Sequence, residues 1–267
     1  MSSPVDPALA PTTGTRPMGD RGRVRIGEVS KVYGDAANPV PALDRLTLDI
    51  EPGGFVCVVG ASGCGKSTLL NLVAGLDRAS AGEVTVEGRA TLMFQEPALF
   101  PWLTAARNIE LPLRLDGAAR AERRARVEEL LRIVHLQEFA TKRPHELSGG
   151  MRQRVALARA LGQRADVLLM DEPFGALDAM TRDVLHDEVE RIWRDAGLTV
   201  LFVTHNVRES VRLGDRVVLL SSRPGRVLAE FPVDIERPRR IDSPAVANLA
   251  ATITDQLRAE VTRHGER

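Results

Sequence analysis

A phosphate-loop motif between a buried strand and a helix constrains the fold of this chain more than any other feature. The run Phe55–Val59 is continuously apolar, which is typical of a strand buried on both faces. It leads directly into Gly60–Thr68, which matches G-x-x-x-x-G-K-[ST], and an apolar helix is predicted from about Lys66 to Ala74. A strand, a glycine-rich loop and a helix in this order predict an α/β fold with a mostly parallel sheet.

Strand and helix signals alternate on both sides of this loop. The first strands are expected to form an N-terminal antiparallel β subdomain, and helical signals dominate a subdomain inserted at about residues 96–163. After this subdomain, strands and helices alternate again, which is the pattern of a parallel sheet. The predicted strands are Val24–Tyr33, Leu46–Ile50, Glu83–Gly88, Ala90–Phe94, Val167–Met170, Thr199–Thr204, Arg216–Ser221 and Val227–Val233, and the later helices are Thr181–Asp195 and Val207–Leu213.

Composition shifts suggest three regions. Residues 1–22 are rich in Pro, Ser, Thr and Gly and predict a disordered leader, residues 23–240 form the main domain, and residues 241–267 form a helical extension. Ser243 and Pro244 provide a helix start after a Pro/Arg linker. The apolar stripe of that last helix either docks on its own domain, which we expect, or forms a dimer seam. Its members are Val246, Leu249, Ile253, Leu257 and Val261.

Charge and cysteine content limit the possible partners. The 36 basic and 36 acidic residues balance, which argues against a nucleic-acid binder. Cys57 and Cys64 are expected to be unpaired thiols in a reducing compartment. We expect no secretory signal, and no apolar run is long enough to span a bilayer, so any membrane role would come through a partner.

The phosphate loop predicts a nucleoside triphosphate site. Its glycines allow the backbone to curl so that N–H groups face the phosphates. Lys66 is expected to reach the β- and γ-phosphates, and the Ser67 hydroxyl is expected to bind Mg²⁺. The predicted ATP-binding residues of this loop are Gly60, Ala61, Ser62, Gly63, Cys64, Gly65, Lys66, Ser67 and Thr68.

Polar side chains that follow three other strands are candidates for the chemistry. Asp171 and Glu172 close a buried strand; Asp171 is expected to hold Mg²⁺ and Glu172 to orient or deprotonate the attacking water. The alternative for Glu172 is a helix-capping or solvated carboxylate. His205 is either a loop histidine or, as we expect, a γ-phosphate contact, and Gln95 is placed to reach metal and water.

The segment Leu147–Gln153 is a second glycine-rich turn that opens a helix. Its backbone N–H groups and the helix dipole make it a second anion-binding surface. One nucleotide does not need two such surfaces from one small chain. The segment therefore indicates that each chain lends its second surface to the nucleotide of a partner.

Taken together, these motifs resemble the ATP-binding subunit of an ABC transporter over nearly all of residues 24–235. Ser148-Gly149-Gly150, with Leu147 and Met151, resembles the family signature that contacts the partner's ATP. Gln95 resembles the glutamine loop and His205 the switch histidine. The loop Ala176-Leu177-Asp178 resembles the loop at the dimer seam. Tyr33 resembles the aromatic residue on which adenine stacks, although ordinary strand burial would also explain it.

The resemblance implies an ATPase that uses ATP and Mg²⁺ and works as a head-to-tail pair of identical chains. It also implies integral-membrane permease subunits as partners, an extracytoplasmic solute-binding protein as an indirect partner, and a peripheral position on the cytoplasmic face of the membrane. Gln95, Ser67 and Asp171 would be the metal ligands, and Glu172, His205 and Gln95 the catalytic residues.

A finer resemblance, to the nitrate/sulfonate/taurine subgroup of bacterial importers, lies in Gln95–Thr104 and Asp171–Asp178. The short link Gly88–Ala90 departs from that subgroup, where we expect a longer insertion. An apolar cluster after the glutamine loop is either a core patch of the helical subdomain or a groove that receives a permease helix. Its members are Leu99, Phe100, Trp102 and Leu103.

Other classes fit less well. A soluble ABC-type ATPase acting in DNA repair or translation is the main alternative, but such relatives carry long coiled coils or two cassettes on one chain. A phosphate-loop kinase or GTPase does not need a signature turn. The sequence does not identify the solute, and import rather than export rests on the resemblance alone.

Overall fold

The computed structural model describes residues 21–35 and 37–265. Nearly all of the predicted leader, residues 1–22, lies outside this range; of its last two residues, Arg21 pairs with Asp166 and the Gly22 amide donates to Glu87. The strands are β1 Val24–Tyr33, β2 Val40–Ile50, β3 Phe55–Val59, β4 Ala81–Val86, β5 Ala90–Met93, β6 Val167–Asp171, β7 Thr199–Val203, β8 Arg216–Leu220 and β9 Val227–Pro232. The helices are α1 Lys66–Val73, α2 Ala105–Leu115, α3 Arg120–Ile133, α4 Gly149–Leu161, α5 Ala179–Ala196, α6 Val207–Leu213 and α7 Pro244–Gly265.

Two sheets organise the described residues, as the sequence predicts. The main sheet has six strands in the order β5-β6-β7-β3-β8-β9, and all neighbours are parallel except β8 and β9. The second sheet is antiparallel and has the order β2-β1-β4. Every residue of β3, β6 and β7 is buried, which confirms strands covered on both faces.

The main sheet separates two apolar cores. Alternate residues of β3 point to opposite faces, so Phe55 and Cys57 join one core while Val56 and Val58 join the other. The first core packs against α2 to α6 and the second against α1 and the antiparallel sheet. The predicted helical subdomain corresponds to α2, α3 and α4 with two short 3₁₀ helices between α3 and α4.

Strand β2 begins earlier than predicted, at Val40 rather than Leu46. Pro41 disfavours a strand in the sequence pattern, but β2 is an edge strand, where a missing N–H costs no ladder hydrogen bond. Tyr33 pairs with Val40 in the resulting hairpin. This pairing brings the end of β1 beside the start of β2, close to the phosphate loop.

The C-terminal helix docks on its own domain, as expected. Val246 and Ile253 are fully buried against the first core, and Leu249 and Leu257 pack partly against it. Val261, the last member of the stripe, is 46% exposed. The alternative of a stripe-wide dimer seam is therefore wrong for the buried part of the helix.

No helix in the described part of the chain is both long enough and apolar enough to cross a bilayer.

Candidate nucleotide-binding and catalytic site

The candidate site lies at the carboxyl edge of the main sheet. Strands β3, β6 and β7 are parallel, and Val203 of β7 pairs with both Val58 and Asp171. The segments that follow these strands therefore leave the sheet at the same edge. They carry the phosphate loop, Glu172 and His205.

The phosphate loop adopts a backbone that requires its glycines. Gly65 has φ +99 and stands at the N-terminus of α1. A Cβ on Gly65 would lie 2.7 Å from the Ala42 carbonyl oxygen, so no larger residue fits. Lys66 is almost fully buried and donates from Nζ to the carbonyls of Gly60 at 2.8 Å and Ala61 at 2.9 Å. The loop thus folds around its own lysine.

A cleft of about 420 Å³ opens over this loop. It gathers residues from the β1–β2 hairpin, the phosphate loop, the segment after β5 and the segment after β6. Its size is within the usual range for small-molecule sites. It is lined by Tyr33, Val40, Ala42, Ser62, Gly63, Gly65, Lys66, Ser67, Thr68, Gln95, Glu172 and Arg223.

Asp171 and Ser67 form a pair of oxygen donors beside the cleft. The Ser67 hydroxyl is hydrogen-bonded to the Asp171 carboxylate, whose pKa is raised, mainly by burial and further by the neighbouring Glu172 charge. In the described part of the chain no group of three or more His, Cys, Asp or Glu side chains is placed to hold a metal. One carboxylate and one hydroxyl fit Mg²⁺, which takes few protein ligands and shares the rest between phosphate and water.

Glu172 contacts both of the other candidate catalytic side chains, His205 and Gln95. Its Oε2 lies 3.0 Å from His205 Nδ1 and accepts from Gln95 Nε2 at 3.4 Å. The backbone of Glu172 is left-handed, with φ +46, which is costly for a residue with a side chain. The Glu172 amide donates to Val203 O at 2.9 Å and helps to hold this conformation. The structure thus brings together three residues that lie far apart in sequence.

A buried polar network beneath His205 supports its loop. The Thr204 hydroxyl donates to Glu209, and His186 Nε2 lies 2.8 Å from the other Glu209 oxygen. Asn206 caps α6 by accepting from the amides of Arg208 and Glu209. The sequence did not predict this network, for which Asn206 as a helix N-cap is a local signal.

Tyr33 stands at the mouth of the cleft rather than in the sheet interior. Its side chain is 39% exposed, and its hydroxyl donates to Asp77 at 3.0 Å. The Lys31 ammonium lies 4.8 Å from the ring centroid. The ring is therefore fixed in position and accessible, which a stacking residue needs.

The second anion-binding segment lies outside the cleft of its own chain. Ser148 caps α4 by accepting from the Met151 amide at 3.2 Å, and both Ser148 and Gly149 are exposed. Of the described residues that line the cleft, none belongs to 147–151. A Cβ on Gly150 would lie 3.3 Å from the Ala176 carbonyl, so this turn packs against the predicted dimer-seam loop, of which Leu177 is buried and Asp178 caps α5.

The segment after Gln95 is fixed by side chains of α4. Gln153 Nε2 donates to the Gln95 carbonyl at 3.3 Å, and Arg159 donates to the carbonyls of Pro97 at 2.9 Å and Ala98 at 2.8 Å. These two anchoring side chains, Gln153 and Arg159, were not predicted from the sequence. They connect α4, which Ser148 caps, with the loop whose Gln95 side chain contacts Glu172.

The apolar cluster divides into packed and exposed members. Leu99 packs against the core and Leu103 is half-buried, whereas Trp102 is 68% exposed and Phe100 is 37% exposed. The two aromatic rings touch, with centroids 5.5 Å apart. The core-patch interpretation fits Leu99, and the exposed pair forms an apolar surface.

Arg223 also lines the cleft and was not predicted. It lies in the loop between β8 and β9, and its Nε donates to the Gly63 carbonyl at 3.2 Å. Sequence alone gives no signal for it in an arginine-rich chain.

Comparisons with known proteins agree with this geometry. A family model described as ABC transporter matches residues 43–175. The taurine import ATP-binding protein TauB of Rhizobium johnstonii is 50% identical over 206 residues, covering 74% of this chain and 79% of that protein. The nitrate import ATP-binding protein NrtD of Synechocystis sp. is 43% identical, covering 79% of this chain and 83% of that protein. The aliphatic sulfonates import ATP-binding protein SsuB of Bacillus licheniformis is 40% identical, covering 90% of this chain and 95% of that protein.

Solved structures show the same fold. A dimeric post-hydrolysis structure of the ATP-binding cassette MJ0796, bound to ADP and Pi, is 33% identical with a TM-score of 0.74. The match covers 80% of this chain and all of that one.

Proposed function

The chain belongs to the ABC transporter family and is an ATPase of that family, and from this premise we propose that it powers an importer of small solutes. The names of the relatives support uptake of a nitrate, taurine or sulfonate type of solute through a separate permease. They favour this function over a soluble ATPase acting in DNA repair or translation. The chain would lie on the cytoplasmic face of the membrane, held by its permease, with an extracytoplasmic solute-binding protein as an indirect partner.

For the chemical step, we assign Glu172 as the residue that orients the attacking water. It sits at the edge of the cleft and is held by His205 and Gln95, so a water at its free oxygen would face the end of a bound triphosphate. Lys66 exchanges its carbonyl contacts for phosphate oxygens. Ser67 and Asp171, with Gln95, would hold Mg²⁺, which when bound neutralises charge on the phosphates.

A second copy completes the site in this proposal. Ser148, Gly149 and Gly150 lie outside the cleft of their own chain and present a helix N-terminus to solvent. In a head-to-tail pair, each turn covers the phosphates bound by the other chain. Closure excludes water, and release of the γ-phosphate opens the pair.

The observation that carries the coupling to a permease is the short path from Glu172 to the exposed rings. Gln95 touches Glu172, and the residues that follow it are clamped to α4 and end in the exposed pair Phe100 and Trp102. A permease helix seated on these rings would therefore move a segment that contacts the catalytic carboxylate.

The test uses proteoliposomes that contain this chain, its permease and the solute-binding protein. Wild type should take up taurine, an alkanesulfonate or nitrate when MgATP is supplied. Trp102→Ser should hydrolyse ATP normally as a free chain and lose most uptake. The exposed Leu115→Ser serves as a matched control and should transport normally. Normal uptake by Trp102→Ser would contradict the docking surface, and no uptake of any of the three solutes by wild type would contradict the solute class.

A further inference from the structure

We propose that Arg223 is a further nucleotide-binding residue, whose guanidinium contacts the phosphate chain of the bound nucleotide. The proposal rests on the nucleotide site described above. It assigns a role to the loop between β8 and β9, which none of the sequence motifs covers.

The first support is position. Arg223 lines the same cleft as Lys66, Ser67 and Thr68, and its Nε donates to the Gly63 carbonyl inside the phosphate loop. The guanidinium has five donors, and a bond from Nε leaves its terminal nitrogens for an anion. Phosphate oxygens match the planar fork of these donors, as carboxylate oxygens do.

The second support is charge. Among the described residues, no carboxylate lies within the 4.0 Å of an ion pair from Arg223. Arg226, three residues later in the same loop, is neutralised by Asp44. Within the described part of the chain, this loop therefore pairs Arg226 with an acid, whereas Arg223 lines the cleft over the phosphate loop without a carboxylate partner.

The third support is rigidity. The Gly225 amide donates to Ala42 O at 2.8 Å, and the Gly225 carbonyl accepts from the Asp44 amide at 3.0 Å. The Ser222 amide donates to Glu260 of α7 at 3.0 Å. Arg223 lies between these anchors, so its backbone is placed before the nucleotide arrives and little ordering cost remains.

The test is the affinity of the free chain for a fluorescent MgADP analogue and MgATP analogue, measured by titration. At low salt, Arg223→Gln should weaken the binding of both nucleotide analogues by roughly tenfold, because that is the effect expected from losing one charge-assisted hydrogen bond. Arg223→Lys should recover part of the loss because it keeps the charge but not the fork. The difference in nucleotide affinity between wild type and Arg223→Gln should become smaller at 1 M salt, since the site is open to solvent.

Controls separate this inference from the proposal beneath it. Arg226→Gln removes an arginine from the same loop and should bind like wild type. Lys66→Ala should lose binding; if wild type and Lys66→Ala bind equally, the nucleotide site itself is wrong. If Lys66→Ala loses nucleotide binding while Arg223→Gln binds like wild type, only the role of Arg223 is overturned. It is also overturned if Arg223→Gln lowers ATP-dependent dimerisation alone, because the arginine then acts across the seam.

Discussion

At the scale of single residues, Asp171 carries a charge that the folded protein disfavours in the absence of a ligand. It is 8% exposed, and burial raises the pKa of its carboxyl above the ordinary value of 3.8. The folded state therefore holds the proton more firmly than the unfolded state. As the pH rises through the raised pKa, deprotonation of Asp171 costs folding stability.

We predict that Asp171→Asn is more stable than wild type at pH 7 without nucleotide and no longer gains stability from MgATP. The melting temperature should rise by about 2 °C, the shift that 1 kcal/mol gives in a domain of this size. The gain should shrink as the pH is lowered through the raised pKa of Asp171 toward its ordinary value of 3.8. Thermal unfolding with and without MgATP measures both effects.

Asp178→Asn is the control, because Asp178 is exposed and its pKa is lowered by the Thr181 amide. Its contribution is present at neutral pH and is lost as the pH falls, so its replacement should not stabilise. Asp171→Asn that melts no higher than wild type, or that MgATP still stabilises fully, would contradict the account.

Site residues could be predicted from the sequence where a local motif marks them. Asp171 ends a buried strand, and Glu172 and the loop Gly60–Thr68 directly follow buried strands, so their place at the sheet edge can be inferred. Arg223 and Gly63 are 160 residues apart, and the pair arises only because β3 and β8 are neighbours. No local pattern marks such a contact.

At the scale of elements, the loop between β8 and β9 is packed against the phosphate loop with no room to spare. A Cβ on Gly225 would lie 2.1 Å from the Cys64 carbonyl oxygen. That atom belongs to a backbone that cannot yield without moving the phosphate loop. The close contact between the β8–β9 loop and the phosphate loop is thus possible only because residue 225 is a glycine.

We predict that Gly225→Ala destabilises the protein by about 1–3 kcal/mol, as overpacking does, and weakens nucleotide binding because the phosphate loop shifts. Chemical denaturation and nucleotide titration measure the two effects. Gly27→Ala, with only one atom as near as 3.9 Å, is the control and should have little effect on either. Wild-type affinity in Gly225→Ala would show that the loops are independent.

Element types were predictable along the described chain, whereas several boundaries were not. The periodicity of α6 and the apolar run of β3 give their limits correctly, because each is bounded by strong turn residues. The start of β2 was missed because its pairing with β1, rather than its own composition, makes it a strand. The site therefore gains Val40 and Ala42 only through tertiary pairing.

At the scale of the whole molecule, the predicted Pro/Arg linker proves to be an anchored segment. Arg239 is almost fully buried and donates to the carbonyls of Ile235 at 2.7 Å, Val233 at 2.9 Å and Val211 at 3.1 Å. Burial lowers its pKa to about 10, so it is still charged at neutral pH. This one side chain ties the end of α6 to the segment that leads into α7.

We predict that Arg239→Met lowers the free energy of unfolding by roughly 2–4 kcal/mol, because several buried carbonyls lose their donor. The neighbouring Arg240 is exposed and pairs with the exposed Asp242, so Arg240→Met should change stability by less than about 0.5 kcal/mol. Urea denaturation of both variants gives the comparison. Equal midpoints would mean that the buried arginine contributes no stability.

We propose that the nucleotide site is complete only when a second copy of the chain supplies Ser148–Gly150. The most direct measurement is the mass in solution of Glu172→Gln, which should bind MgATP without hydrolysing it. With MgATP we expect twice the 29.1 kDa mass of one chain, and without MgATP the mass of one chain. When Ser148→Arg is added, we expect the mass of one chain even with MgATP. A Glu172→Gln chain that binds MgATP and stays monomeric, or a dimer unaffected by Ser148→Arg, would contradict the shared site.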